Sequence, residues 1–215
     1  MKHVGIIGTG VVGKTLAEGF KKHGYTVSIG TRNASKFDEL KNSVSEGINV
    51  NSFNEVAATA DIIVLAVKGT AAVEAIQLAG ISNLAGKTII DATNPIAELP
   101  PVDGVLQYFT APNESLMEQL QALAPEANFV KCFSCVGAYN MVNPEFEGGK
   151  PTMFIAGNNS ETKTFVSEVL TTFGWESLDM GTATAARAIE PLAMLWCIPG
   201  FLHNQWAHAF KLLTK

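Results

Sequence analysis

The sequence predicts an α/β fold of the Rossmann type, with a doubly wound, mainly parallel sheet and a short helical C-terminal extension. Short apolar runs rich in β-branched residues alternate with helix-like segments along most of the 215 residues, which is typical of β-α repeats. The run 61–67 is nearly all apolar, as expected of a strand buried on both faces of a parallel sheet. A glycine-rich loop, 8–13, joins the first strand-like run to the first helix-like segment.

The first two thirds of the chain supply most of the predicted sheet. A β-branched run, 4–7, precedes a helix over 13–23, and Gly24 is suited to end that helix. Ser52 and Glu55 have the capping-box spacing that starts another helix. Further strands are predicted at 26–29, 48–50, 61–67, 87–91 and 128–133. Further helices are predicted at 35–42, 52–60, 70–79 and 113–123.

The last third of the chain is predicted to complete the sheet and then become helical. Strands are expected at 153–156 and 177–180, with a helix at 160–173 between them. From about Thr184 the pattern is helical, with a break expected at Pro199 and Gly200 because both residues disfavour a helix interior. We therefore predict a Rossmann domain over 1–181. An extension over 182–215 is expected to pack on that domain or to form a dimer contact.

Composition and charge favour a compact protein that binds small molecules. Hydrophobic residues make up 47% of the chain and charged residues 16%, and the net charge is −5 without a dense basic cluster. Nucleic-acid binding would need such a cluster, so no nucleic-acid partner is expected. The apolar stretch 193–202 is shorter than the ~20 residues that cross a bilayer, so no membrane partner is expected either. Three cysteines do not suggest a disulfide framework, and we expect a cytoplasmic protein.

The glycine-rich loop fits the G-x-G-x-x-G pattern of a dinucleotide-binding turn. It follows a predicted strand and opens a predicted helix, which is the context that gives this pattern its meaning. Gly8 permits the tight turn, Gly10 lets the backbone approach a pyrophosphate, and Gly13 lets helix and strand pack closely. The free N–H groups at the helix start then bind phosphate. The predicted phosphate loop is Gly8, Thr9, Gly10, Val11, Val12 and Gly13.

The end of the second strand indicates which dinucleotide is bound. Sites that prefer NAD usually carry an acid there, which binds the ribose 2′-hydroxyl, but here the first acid after the strand is Asp38. Arg32, one of only two arginines in the chain, stands in that place instead. Its guanidinium can hold a 2′-phosphate, Thr31 adds a hydroxyl donor and Lys36 a second charge. We therefore predict NADP, bound as NADPH, as the cofactor.

The remaining contacts are expected where further strands end, because ligands of open α/β sheets lie beyond the carboxyl ends of the strands. Ala66 and Val67 end the fourth predicted strand, and Asn94 follows the fifth. We predict that these three residues line the nicotinamide half of the cleft. Lys68 is included in the predicted site, although a lysine in such a position is more often a solvated surface charge than a ligand group.

The pair Cys132 and Cys135 invites a dithiol or metal interpretation, which the rest of the sequence does not support. A zinc site needs two more ligands, and no second pair has suitable spacing. A reactive dithiol would normally open a helix, whereas this pair closes a strand. We therefore predict no metal site. No side chain is assigned a catalytic role, because hydride transfer to a flavin-like ring mainly requires that two rings be held face to face.

Several motifs together resemble one known family. They are G-T-G-V-V-G, I-G-T-R, D-A-T-N-P, V-K-C-F, G-K-P-T-M-F-I-A-G-N, G-W-E-S-L-D-M-G and A-R-A-I-E-P-L-A-M-L-W. The chain resembles the NADP oxidoreductases that include coenzyme-F420-dependent NADP reductase. The resemblance implies hydride exchange between NADP(H) and a flavin-like ring, usually a deazaflavin. It also implies that Thr9 joins Thr31, Arg32 and Lys36 at the 2′-phosphate. Many relatives have an asparagine where this chain has Ser134, so the acceptor pocket is expected to differ.

Two other functions stay open on the sequence alone. One is an NADPH-binding sensor or partner protein without turnover. The other is a dehydrogenase of small hydroxy acids or imines, although such enzymes usually carry a long helical second domain with a catalytic lysine. Only about thirty residues follow Gly181 here, which is too few for such a domain.

Overall fold

The structure, a computed structural model, describes residues 2–215, and these contain eight strands in one sheet. The strands are β1 (His3–Ile7), β2 (Thr26–Thr31), β3 (Asn49–Ser52), β4 (Ile62–Leu65), β5 (Thr88–Asp91), β6 (Asn128–Lys131), β7 (Thr152–Gly157) and β8 (Glu176–Asp179). Their order across the sheet is β3-β2-β1-β4-β5-β6-β7-β8. The first six strands are mutually parallel, β7 is antiparallel to β6, and β8 is parallel to β7. The predicted fold class is confirmed.

Helices follow nearly every strand. They are α1 (Val11–Lys22), α2 (Phe37–Lys41), α3 (Phe53–Thr59), α4 (Ala72–Ala79), α5 (Leu116–Leu123), α6 (Ser160–Thr172), α7 (Ala186–Ile189) and α8 (Leu192–His203). The predicted capping box at the start of α3 is present, with the Ser52 side chain accepting from the Glu55 N–H and the Glu55 carboxylate accepting from the Ser52 N–H. These two bonds satisfy N–H groups that the helix itself leaves unpaired.

Both faces of the sheet carry a separate hydrophobic core, as a doubly wound fold requires. On one face, Leu16 and Phe20 of α1 pack with Val166 and Leu170 of α6 over the sheet. The opposite core contains apolar residues of α3, α4 and α5. All four residues of β4 are buried, because this central strand is covered on both sides.

The crevice of the sheet lies where the strand order changes direction. From β1 the chain moves outward to β2 and β3, and it then returns to the other side of β1 as β4. The carboxyl ends of β1, β2 and β4 therefore open into one cleft, which is the usual ligand position in such sheets. The topology places the glycine-rich loop directly at this point.

The C-terminal part departs from its prediction in two ways. The expected break at Pro199 and Gly200 is wrong, because α8 continues through both residues to His203. The missing Cβ of Gly200 makes room for the Trp206 ring, since a Cβ there would lie 2.3 Å from it. Proline removes one hydrogen bond of the helix, yet α8 continues where the Trp206 ring packs against it. Residues 204–215 are not helical, and Thr152 of β7 donates its N–H to Phe210 of this tail.

The extension also contains a long apolar helical segment. Among residues 2–215, Ala183–His203 is one segment that is long and apolar enough to cross a membrane by length and composition, with a mean hydropathy of 1.2. The sequence reading of the shorter stretch 193–202 did not recognise it. Two turn residues, Glu190 and Pro191, separate α7 from α8, and the Glu190 side chain is buried against the Rossmann domain. The absence of a membrane partner stays a prediction.

Candidate functional site

The glycine-rich loop has two glycines that the fold requires and one that it does not. Gly8 has a φ of 130°, and a Cβ there would lie 2.2 Å from the carbonyl oxygen of Ala66. A Cβ on Gly13 would lie 2.1 Å from the carbonyl oxygen of Gly8. Gly10, by contrast, has no atom within 4 Å of its Cβ position. The space beside Gly10 is therefore available to an external group.

The start of α1 is arranged to receive an anion. Gly10 is the N-cap of this helix and offers no side chain to its first N–H groups. The first turn contains no acidic residue that would compete for them. Free N–H groups and the positive end of the helix dipole together favour phosphate at such a position.

A cleft of about 400 Å³ extends from this loop along the ends of β2 and β4. Nine of the thirteen predicted site residues line it, namely Gly8, Thr9, Gly10, Thr31, Arg32, Lys36, Ala66, Val67 and Lys68. Val11 and Val12 lie in the first turn of α1, and Gly13 is buried beneath the loop. Asn94 lies beyond the end of β5, at the other side of the crevice.

The end of β2 is rich in donors and has no acid of its own. Thr31 is buried, and its hydroxyl accepts from the N–H of Asn33. The Arg32 side chain is 61% exposed, and its Nη1 lies 3.0 Å from Oε2 of Glu74 on α4. Glu74 was missed by sequence reasoning, because nothing in its local pattern places α4 opposite the end of β2.

A smaller cavity of about 140 Å³ adjoins this end of the cleft. Arg32 lines the larger cleft, whereas the lining of this cavity includes Thr9, Thr31 and Lys36 of the predicted 2′-phosphate site together with the acid Glu39. It also includes Lys14, which the sequence analysis did not single out. Lys14 follows the glycine loop by one residue, and this position in the first turn of α1 is the signal that could have identified it.

Two neighbouring polar groups at the β5 and β6 ends lack partners within the structure described. The Asn94 amide donates from Nδ2 to the Ser134 carbonyl at 2.6 Å, but its Oδ1 is buried without a hydrogen bond. The Ser134 hydroxyl is buried and equally unpaired. Phe133, directly before it, has a φ of 61°, a strained conformation for a bulky residue. Unpaired buried polar atoms beside a strained backbone are typical of a ligand site.

The remaining candidates are less involved in the cleft. The Lys68 side chain is 82% exposed and lies 3.7 Å from a carboxylate oxygen of Glu98, so it is a surface charge at the cleft mouth. Cys132 and Cys135 are buried free thiols. Burial raises the pKa of Cys135 to about 12 and that of Cys132 well above its usual range. Both thiols are therefore protonated at neutral pH, which disfavours nucleophilic or redox chemistry.

Comparison with known proteins gives this geometry a family. Residues 3–95, which include the glycine-rich loop, Arg32 and Asn94, match the family model "NADP oxidoreductase coenzyme F420-dependent". A crystal structure from Arthrobacter sp. FB24, assigned as an F420-dependent NADP reductase, is 30% identical and superposes with a TM-score of 0.92. The similarity covers all of both chains.

Two curated proteins match over smaller parts of their own length. Metalloreductase STEAP3 of Rattus norvegicus is 30% identical over 203 residues, covering 93% of this chain and 38% of that protein. The NADPH-dependent reductive aminase of Aspergillus oryzae is 31% identical over 100 residues, covering 43% of this chain and 31% of that protein. The chain thus spans roughly a third of the length of these relatives. From its full-length match to that structure and the match of residues 3–95 to the family model, the chain belongs to the coenzyme-F420-dependent NADP oxidoreductase family.

Proposed function

We propose that this chain is an NADPH-dependent reductase that delivers a hydride to a flavin-like or deazaflavin ring. The observation that carries the proposal is the end of β2, where Arg32 and Lys36 meet Thr9 and Thr31 without an acid on that strand. A 2′-phosphate would find charged and hydroxyl donors there, whereas an NAD site would offer a carboxylate.

The cleft fits the other parts of the cofactor as well. The open space beside Gly10 suits the pyrophosphate, which the N–H groups of α1 would hold. The unpaired Asn94 Oδ1 and Ser134 hydroxyl suit the carboxamide of the nicotinamide. In this arrangement the protein binds and orients the cofactor at both ends. NADPH, when bound, supplies the hydride.

The groups near the nicotinamide end favour a ring acceptor over a carbonyl or imine. Reduction of a ketone or imine benefits from a positioned proton donor. Asn94 and Ser134 are neutral, and the buried thiol of Cys135 has a pKa of about 12. Hydride transfer to a flavin-like ring needs orientation more than acid–base help. Coenzyme F420, a deazaflavin, stands in the name of the family model and supports this choice.

We also propose that the protein is a cytoplasmic homodimer that associates through its extension. Six large apolar side chains there are at least a third exposed, namely Leu195, Phe201, Leu202, Trp206, Leu212 and Leu213. Clustered exposed apolar groups of this kind are typical of protein contacts. Replacement of Leu202 by glutamate should halve the mass measured by light scattering, whereas Leu99→Glu, an equally exposed control, should not. An unchanged mass for both variants would contradict this interface.

The function is tested by binding followed by turnover. The purified chain is titrated with NADPH and NADH and then mixed with a deazaflavin, FMN, a quinone, an imine and a 2-oxo acid, while NADPH absorbance is followed. Preferential NADPH binding and oxidation with the ring acceptors are expected. Turnover with the imine or the 2-oxo acid alone would favour a dehydrogenase. NADPH binding without any turnover would favour a sensor, and preference for NADH would overturn the proposal.

A further inference from the structure

A wholly buried lysine lies beside the loop that carries Asn94, which is the proposed nicotinamide end of the site. Lys131 ends β6 and is the register partner of Asp91 at the end of β5, and both side chains are 0% exposed. Its Nζ lies 2.7 Å from Oδ2 of Asp91 and 2.8 Å from Oε1 of Glu190. It also donates to the carbonyl oxygen of Thr93 at 2.9 Å. The ammonium group is therefore surrounded by three oxygen atoms.

Lys131 is held in its charged form. Burial by itself lowers the pKa of Lys131, but the carboxylates of Asp91 and Glu190 outweigh it and raise the pKa overall. Glu190 has compensation of its own, because its two carboxylate oxygens accept from the N–H groups of Leu116 and Met117 in the first turn of α5. A buried charge cluster is tolerated only when its members are paired in this way.

The cluster fixes the loop that carries Asn94. The N–H and the hydroxyl of Thr93 donate to Oδ1 of Asp91 at 2.9 and 2.6 Å, while Lys131 holds its carbonyl oxygen. Asn94 itself is pressed against the neighbouring loop, since a Cβ on Gly69 would lie 1.9 Å from its carbonyl oxygen. With its Nδ2 bonded to Ser134, only Oδ1 of the Asn94 amide is left without a partner.

We propose that Lys131 is a positioning residue that holds the 92–95 loop so that Asn94 Oδ1 faces the cofactor carboxamide before binding. Through Glu190, the same lysine links the C-terminal extension to this loop. The proposal rests on the function proposed above. If the 92–95 loop is already ordered, cofactor binding does not incur the free-energy cost of ordering it. Loss of this order should therefore weaken the contacts of the nicotinamide end and leave those of the adenosine end unchanged.

The structure separates the two ends of the cofactor, and this separation provides the test. The adenosine end is formed by β1 and β2, with Arg32 and Thr31, whereas Lys131 acts through β5 and β6. The compound 2′,5′-ADP carries the 2′-phosphate without the nicotinamide and therefore reports on the adenosine end alone. Disruption of Lys131 should change the affinity for NADPH and leave the affinity for 2′,5′-ADP as it was.

The principal variant replaces the whole cluster with neutral groups of similar shape, Asp91→Asn, Lys131→Met and Glu190→Gln. Removal of the lysine alone would leave two buried carboxylates unpaired, which costs several kcal/mol and risks unfolding. Thr93→Val is the second variant, because it breaks only the hydroxyl bond to Asp91. Lys163→Met is the matched control, since Lys163 also joins a carboxylate, that of Asp179, to a backbone carbonyl, but away from the cleft.

Binding of both ligands and the fluorescence of bound NADPH are measured for each variant. The neutral cluster should bind NADPH about 2- to 10-fold more weakly, the equivalent of one misplaced hydrogen bond, with unchanged affinity for 2′,5′-ADP. Thr93→Val should also bind NADPH more weakly with unchanged affinity for 2′,5′-ADP, but the loss should be smaller. If the triple variant does not fold, Thr93→Val provides the test. The control should match the wild type.

Two results would overturn the positioning role. One is wild-type affinity for both ligands in the variants, and the other is an equal loss for both, which indicates general structural damage. Failure of the wild type to bind 2′,5′-ADP or NADPH would instead overturn the proposed function. The two failures are therefore distinguishable.

Discussion

Arg32 and Glu74 face each other across the mouth of the cleft, with Nη1 and Oε2 separated by 3.0 Å. Arg32 follows β2 and Glu74 lies on α4, so the pair joins the two walls between which the adenosine would lie. Both side chains are more than half exposed, so the ion pair contributes little to stability. Its importance lies in competition, because the same guanidinium is the proposed ligand of the 2′-phosphate.

The removal of this competitor should favour the phosphorylated cofactor. Glu74→Gln keeps the shape of the side chain but removes its charge, so Arg32 is free and repulsion of the phosphate is lost. We expect NADPH to bind roughly 2- to 5-fold more tightly, the range of an exposed ion pair, with little change for NADH. Calorimetric titration at low and high salt checks this, since screening should shrink the gain. Weaker NADPH binding in this variant would show that Glu74 orients Arg32 instead.

Loss of the arginine should have the opposite and larger effect. A hydrogen bond to a charged group contributes about 1.5–3 kcal/mol, so Arg32→Ala should weaken NADPH binding roughly 10- to 150-fold. Binding of NADH should stay nearly the same, because it has no 2′-phosphate. Parallel titrations with the two cofactors give the comparison. An equal loss for both would refute the assignment of Arg32.

The glycine loop offers a variant that separates binding from folding. A methyl group on Gly10 meets no protein atom but occupies the proposed pyrophosphate space. The free energy of unfolding of Gly10→Ala should therefore lie within about 0.5–1 kcal/mol of the wild-type value. Its affinity for NADPH should fall at least roughly tenfold. Thermal unfolding and fluorescence titration measure the two quantities.

Gly148→Ala is the control for this variant, because it also meets no atom within 4 Å and lies outside the cleft. It should change neither quantity. Gly13→Ala places a Cβ 2.1 Å from a carbonyl oxygen and should lower the unfolding free energy by about 1–3 kcal/mol. Normal NADPH binding by Gly10→Ala would place the pyrophosphate elsewhere.

The extension should be held to the domain in a pH-dependent manner. Arg187 of α7 binds Glu118 of α5 through two hydrogen bonds of 2.9 and 2.8 Å, which lower the pKa of Glu118. A depressed carboxyl pKa adds stability above the unfolded value of about 4.3, and this stability is lost as the pH falls through the folded pKa. Glu118→Gln should therefore cost about 0.5–1 kcal/mol at neutral pH and almost nothing near pH 3.

Urea unfolding at the two pH values measures this difference. Glu161→Gln, which replaces an acid in the first turn of α6, serves as the control and should not reproduce the pH dependence. A constant difference between the Glu118 variant and the wild type at both pH values would rule out the ion pair as its cause.

Local patterns were sufficient to predict the strands and the glycine-rich loop between β1 and α1, because their residues are close in sequence. Buried runs such as β4 and the glycine spacing at 8–13 depend only on neighbours. The partners across the site were not predictable in this way. Glu74 reaches Arg32 over 42 residues, and Glu190 reaches Lys131 over 59, so only the assembled sheet brings each pair together.

The predicted break at Pro199 shows how tertiary packing overrides a local rule. Proline has no backbone N–H, so a helix that contains it loses one hydrogen bond. At Gly200, the residue after Pro199, the ring of Trp206 packs against the helix, which continues through both positions. The tail that carries Trp206 could not be placed from sequence, because its contacts with Thr152 cross the molecule.

The reversal of strand order at β1 has a consequence for how such proteins diversify. In the proposed site the groups that contact the 2′-phosphate precede β4, whereas the opposite side of the crevice is built from β5, β6 and the loops that follow them. Mutations, for example at Ser134, can therefore change the proposed acceptor pocket and leave the residues that distinguish NADPH from NADH unchanged. A lineage with this architecture is free to adopt new electron acceptors while it continues to draw on the same cellular pool of reductant.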